Sequence, residues 1–158
     1  MNEIDFSKIR NIKAMNSLAK DSFVSYLGIK ITKITKNLSQ AKLKISKKIK
    51  APNGLIHGGA ITSLADTACG FGTMYHLKQE MFATIELQTN FISAVEKGTL
   101  ICNAKLVHKG KSLHVWDAEV IEEKNLKIVA LFRCTQMIIK TKKEKNNDWG
   151  WKNRKYIS

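Results

Sequence analysis

Between His57 and His76 the chain carries one residue charged at neutral pH, Asp66. It stands in a run of small and apolar residues: Ala60, Ile61, Leu64, Ala65, Ala68, Cys69, Phe71 and Met74. Placing a carboxylate in such a run is costly unless the group is paired, hydrogen-bonded or put to use. Its uses are those of a general base toward water or a direct nucleophile toward a carbonyl. The bland alternative is an Asp that caps a neighbouring loop or pairs with a lysine. Eight positions before it, Gly58 and Gly59 follow His57. At the start of a helix their N–H groups lack intrahelical acceptors and point outward at the positive dipole end, suited to polarising a carbonyl or holding an oxyanion. Eight helical residues span about 12 Å, whereas reacting groups must come within about 3.5 Å of one carbon. One straight helix cannot bring its own Gly58 and Asp66 together. Two antiparallel copies can, which would set the site at a two-fold interface and repeat it in each dimer.

The elements that must hold these groups are legible in the hydrophobic pattern. Residues 1–27, with Phe6, Ile9, Ile12, Met15, Leu18, Phe23 and Leu27, have loose helical spacing and predict one or two short helices. Period two then takes over: Ile29 and Ile31, then Ala41, Leu43 and Ile45, alternate with Lys and Thr as half-buried strands do, around a turn at Asn37-Leu-Ser39. Ala51-Pro-Asn-Gly54 is a turn cluster. From Gly58 to Leu77 apolar and small residues occupy nearly every face, predicting a buried helix. Alternation returns with Ile85, Leu87 and Phe91, then over 100–106, 113–121 and 127–139, with turns at Lys109-Gly-Lys111 and Glu122–Asn125. Two strands, one buried helix and four strands predict an α+β domain, an antiparallel sheet of about six strands wrapped round one central helix.

The chain has 158 residues, 44% hydrophobic and 25% charged, with one Pro and nine Gly. This is ordinary globular usage, and it excludes collagen-like, Pro-rich and largely disordered architectures. Three cysteines, Cys69, Cys102 and Cys134, are an odd number without a C-x-x-C pair, which points to reduced thiols and a cytoplasmic protein. No signal-peptide pattern or spanning apolar run is present. The net charge of +14 is concentrated at the ends: +9 over residues 1–50, zero over 51–139 and +5 over 140–158. A nucleic-acid or membrane adaptor would have only this terminal charge in its favour. Of the 27 basic residues only three are Arg, the residue suited to bidentate phosphate and guanine contacts. Neither a nucleic-acid nor a membrane partner is expected. The paired spacing of zinc ligands is absent, so no metal is expected. His76, at the helix end, reads as structural; His108 and His114 flank a turn at strand ends, where a solvated role serves as well as a functional one.

The stretch Asn53–Ala68, with His57-Gly-Gly59 and Leu64-Ala-Asp66, resembles the signature of hotdog-fold acyl-CoA thioesterases, in the phenylacetate-degradation thioesterase-like branch. The similarity continues through Thr84–Phe91 and more loosely through Gly110-Lys-Ser112 and Ala130–Arg133, covering roughly residues 22–140. It implies a hotdog domain over 1–140, a basic tail at 141–158, and hydrolysis of an acyl- or aryl-acyl-CoA thioester by a homodimer that pairs into a dimer of dimers, with no further cofactor. By that analogy Asp66 is the base or nucleophile, and the Gly58 N–H of the opposing subunit polarises the carbonyl. His57 orients the helix start, and Thr84 positions water. Asn53 stands near a catalytic Asn of the family, whose usual position holds Ala51 here. Gly59, Lys109, Lys111 and Arg133 are the expected coenzyme A contacts, and Glu86 matches an acidic position without a clear role. The alternative is a non-catalytic acyl-CoA sensor or carrier of the same fold.

Overall fold

A computed structural model of the chain describes residues 5–140; the tail at 141–158 lies outside them. The N-terminal segment folds as two short helices, α1 (Ile12–Leu18) and α2 (Phe23–Leu27). Asn11 caps α1 by accepting the Ala14 N–H at 2.9 Å, and Gly28 ends α2 at φ 82°, the left-handed conformation that glycine adopts without strain. Asn16 on α1 ties the helix to the sheet. Its side chain donates to the Ile31 carbonyl and accepts the Ile31 N–H, both at 2.9 Å.

The strands are β1 (Lys30–Ile34), β2 (Leu38–Lys44), β3 (Met81–Phe91), β4 (Thr99–Lys109), β5 (Leu113–Glu122) and β6 (Ile128–Ile139). They form one six-stranded sheet in the order β1-β2-β4-β5-β6-β3, every pair antiparallel. The first hairpin turns two residues earlier than the Asn-Leu-Ser motif suggested: Leu38 and Ser39 already belong to β2, and Thr35 closes the turn by donating its N–H to the Leu38 carbonyl. The helix α3 (Gly58–Met74) lies across the sheet, packed against β2, β4, β5, β6 and β3. It stops three residues short of Leu77, where Tyr75, His76 and Leu77 close tight turns onto Phe71, Thr73 and Met74.

The core is the seam between α3 and the inward face of the sheet. Leu43, Leu64, Leu100, Trp116, Val120 and Val129 are fully buried there, each such aliphatic side chain contributing about 1.5–3 kcal/mol. Trp116 lies directly under Gly72, where an added Cβ would fall 2.4 Å from its ring. One layer of this interior is polar. His114 of β5, Gln136 of β6 and Thr84 of β3 are neighbours in register across three strands, with His114 and Gln136 buried. His114 is therefore not the solvated residue that its place beside a turn allowed. Its inward position on β5 puts it beneath the C-terminal turn of the helix, with its ring nitrogen Nδ1 3.3 Å from Thr73 Oγ1.

Candidate active site

The sheet covers only one side of α3. Ala60, Ile61, Leu64, Ala65, Ala68, Cys69, Phe71 and Gly72 are buried, while Thr62, Ser63, Asp66, Thr67 and Gly70 are half-buried and Gly59 is exposed. The less covered face therefore carries Asp66, and it runs alongside β3, the edge strand. Contacts follow the helix from end to end. Phe91 lies against Gly58, Thr89 Oγ1 meets Thr62 Oγ1 at 3.1 Å, Thr84 meets Asp66, and Phe82 lies against Gly70.

A β-bulge makes this seam possible. Simple alternation of Ile85, Leu87 and Phe91 would turn Thr84 away from the helix. Between Thr84 and Glu86 the register with β6 shifts by one residue, so that Thr84 pairs with Gln136 and Leu87 with Cys134. Thr84 thus shares the helix-facing side with Leu87, Thr89 and Phe91. Ile85 is left 55% exposed at the bulge, and Glu86 pairs with Thr135 on the opposite side.

Thr84 Oγ1 donates to Asp66 Oδ1 at 3.0 Å, and Gln136 Nε2 donates to Thr84 Oγ1 at 3.3 Å. Burial in this apolar setting raises the proton affinity of Asp66 above the ordinary carboxylate range, and the Thr84 hydrogen bond partly offsets the rise. No lysine is paired with it among the described residues, so the bland ion-pair alternative finds no support. An ionised carboxylate with elevated basicity and one engaged oxygen is chemically able to take a proton from water or to attack a carbonyl.

At the helix start, His57 is the N-cap. Its Nδ1 accepts the Gly59 N–H at 2.9 Å, which leaves the proton of a neutral ring on Nε2. Gly59 is thereby occupied, whereas Gly58, the first helical residue, has no hydrogen-bond partner on its N–H among the described residues. A Cβ on Gly58 would lie 2.9 Å from Phe91 Cζ, so a side chain there would crowd the approach to that amide. Asn53 is exposed and its Oδ1 accepts the Leu55 N–H at 3.1 Å, a turn contact.

The three basic residues expected at coenzyme A do not converge within one chain. Lys109 and Lys111 line a cavity of about 320 Å³ together with His76, Glu80 and His114, near the end of α3 opposite Gly58. Arg133 instead lies on the outer face of the sheet in a separate concavity of about 650 Å³, where it forks onto Asp117 at 2.6 and 2.7 Å. Among the described residues no group of His, Cys, Asp or Glu is placed to hold a metal ion, and no helix is long and apolar enough to cross a membrane. Reading the sequence alone missed Gln136. An isolated Gln in an alternating strand gives no signal of its own, and only the register with Thr84 reveals it.

Six antiparallel strands folded onto one long helix are the hotdog fold of the thioesterases, and here that helix carries an acid midway along it and one free glycine amide, that of Gly58, at its start. The family profile of the thioesterase superfamily matches residues 53–129, and this similarity, with that to hydrolase-named relatives, marks a thioesterase-class enzyme. It is 28% identical over 118 residues to the 1,4-dihydroxy-2-naphthoyl-CoA hydrolase of Listeria monocytogenes, covering 74% of this chain and 95% of the relative. A mutant thioesterase from Staphylococcus aureus, solved by crystallography, is 28% identical with a TM-score of 0.72, covering 74% of this chain and 98% of that one. A thioesterase structure from Haemophilus influenzae shares the fold at a TM-score of 0.82 and 22% identity, covering 90% of this chain and all (100%) of the other.

Proposed function

We propose that the chain hydrolyses an acyl- or aryl-acyl-CoA thioester to the free acid and coenzyme A. The observation that carries this is the Asp66 carboxylate, half-buried on the less covered helix face, raised in basicity and held by Thr84. As a base, Asp66 takes a proton from water as the water oxygen bonds to the thioester carbon. Collapse of the tetrahedral intermediate breaks the C–S bond, and the proton passes to the leaving thiolate. As a nucleophile, Asp66 would itself bond to that carbon, expel the thiolate and form a mixed anhydride that water then cleaves. An aryl-acyl substrate is consistent with the hydrolase name of the Listeria relative.

The developing oxyanion needs N–H donors, and Gly58 of a second copy is our assignment. Support for a homodimer comes from β3, an edge strand of 11 residues. It exposes Ile85, Leu87 and Phe91, with Ile92 just beyond, at 45–56%. Long apolar edges of this kind invite pairing with another strand. Joining two such edges antiparallel would bring the less covered helix faces of two chains together and set the amide of one beside the acid of the other. His57 Nε2–H would then face the substrate, and Lys109 and Lys111 would take the coenzyme phosphates. Pairing of dimers, and any part played by Arg133 or Asn53, belong to the same reading.

The test is thiol release from a panel of short, long and aromatic acyl-CoAs by the wild-type chain and Asp66→Ala. Loss of the carboxylate should lower turnover by about 10² or more. Equal rates in both would reject the assignment of Asp66, and tight binding without thiol release would favour the sensor or carrier.

A further inference from the structure

We propose that Gln136 is a positioning residue for the hydrolysis, its amide holding the Thr84 hydroxyl in the orientation that donates to Asp66. The inference rests on Asp66 acting as proposed above. A threonine hydroxyl has one proton and two lone pairs, and its rotor turns freely unless neighbours fix it. Gln136 Nε2 donates to Thr84 Oγ1 from 3.3 Å, so that oxygen must send its own proton elsewhere, and Asp66 Oδ1 is the acceptor at 3.0 Å. The chain amide-to-hydroxyl-to-carboxylate therefore has one direction. It engages Oδ1 and leaves Oδ2 free of protein partners among the described residues, available for water or substrate.

The cost of Gln136 argues against a packing role. Its side chain is fully buried, and its Oε1 is buried with no hydrogen-bond partner among the described residues. A buried unsatisfied carbonyl destabilises the fold, and an apolar side chain of similar length avoids that penalty. The amide lies against α3 at Gly70, where a Cβ would stand 3.8 Å from Gln136 Nε2, an ordinary contact. What an apolar residue could not do at this position is donate to Thr84.

The surroundings of Asp66 leave this hydrogen bond as the controllable influence on its titration. Cys69 neighbours it on its own helix, with Cys134 of β6 and Cys102 of β4 behind that thiol. Burial pushes the Cys69 and Cys102 thiols up. From β3 comes Thr84, while Glu86 lies on the other face. β2 turns only Ser39, Ala41 and Leu43 inward, and the inward His114 of β5 sits further along, at Thr73.

The experiment compares wild type, Gln136→Met, Thr84→Val and the double variant of the full chain. Turnover, melting temperature and the carbon-NMR titration of the Asp66 carboxyl are measured for each. Gln136→Met should lower kcat about tenfold, the worth of one ordinary hydrogen bond, with KM within about twofold. Its melting temperature should equal or exceed that of wild type, because the orphaned carbonyl is gone. The Asp66 midpoint should move to higher pH, since the freed hydroxyl no longer always donates to the carboxylate. In the Thr84→Val background the same change should add nothing further. An unchanged kcat, a loss that multiplies with that of Thr84→Val, or a loss accompanied by a lower melting temperature would overturn the proposal. A downward midpoint would also overturn it, by showing that the amide oxygen had been taking the Thr84 proton. If the wild type released no coenzyme A from any substrate, the hydrolase reading would fail. The titration would still decide whether Gln136 acts on Asp66 through Thr84.

Discussion

Acidification should destabilise this fold through His114, and the size of the effect follows from its surroundings. His114 is 2% exposed. Burial is the largest cause lowering its pKa to about 4 from the ordinary 6.5, with the positive or protonatable His76, Lys109 and His108 adding to it. Its local bonding agrees with a neutral ring. Trp116 Nε1–H donates to Thr73 Oγ1 at 2.8 Å, which frees the Thr73 proton for His114 Nδ1 at 3.3 Å. Because the folded pKa lies below the unfolded one, the unfolded chain takes up the proton first as pH falls. Stability present above pH 6.5 is therefore lost progressively down to about pH 4, and this group removes nothing more below that. The full loss is about 3 kcal/mol, equivalent to roughly 6–12 °C in melting temperature for a domain of this size. Asp66 acts with the opposite sign. Its raised pKa makes the folded state bind its proton more readily, which offsets part of the loss once pH enters that range. The assay is thermal unfolding from pH 8 to pH 4 at constant ionic strength, for wild type and His114→Gln. Glutamine can still meet Thr73 but cannot gain charge, so the curve for the variant should be flatter between pH 6.5 and 4. Identical slopes for the two proteins would refute this account of the buried histidine.

Three further outcomes are expected. The acidic limb of the kcat/KM profile should lie above the ordinary carboxylate range, because burial raises the Asp66 pKa and activity requires the ionised form; a limb that Asp66→Asn leaves in place would assign it to another group. Gly72→Ala should destabilise by about 1–3 kcal/mol or more, since its methyl would fall 2.4 Å from the Trp116 ring in a filled core, and urea unfolding measures the loss. Ile85→Lys, at an exposed position on the β3 edge, should shift the chain toward monomer in analytical ultracentrifugation and lower turnover with it. Full activity in a monomer would exclude a site shared between copies.

The sequence by itself determined the order of elements and the acid. Period-two alternation on either side of one apolar helix is a local property, readable residue by residue, and it led to the strands of the sheet and to α3. Asp66 stood out because a charge in an apolar run conflicts with its neighbours, and His57-Gly58-Gly59 because glycines at a helix start expose amides. Tertiary structure alone decided which residues meet that acid. The bulge at Thr84–Glu86 reverses the facing of β3 midway, and no alternation pattern announces an inserted residue whose cause is pairing with β6. Gln136 and His114 lie 52 and 30 residues beyond Thr84, and became its row-mates only through register across β5, β6 and β3. The separation of Arg133 from Lys109 and Lys111 arises in the same way: strand parity sends Arg133 to the outer face, while the lysines sit at a strand end and its turn. Side-chain type is written in the chain, but the neighbours that set a proton's position come from long-range pairing, which sequence distance does not encode.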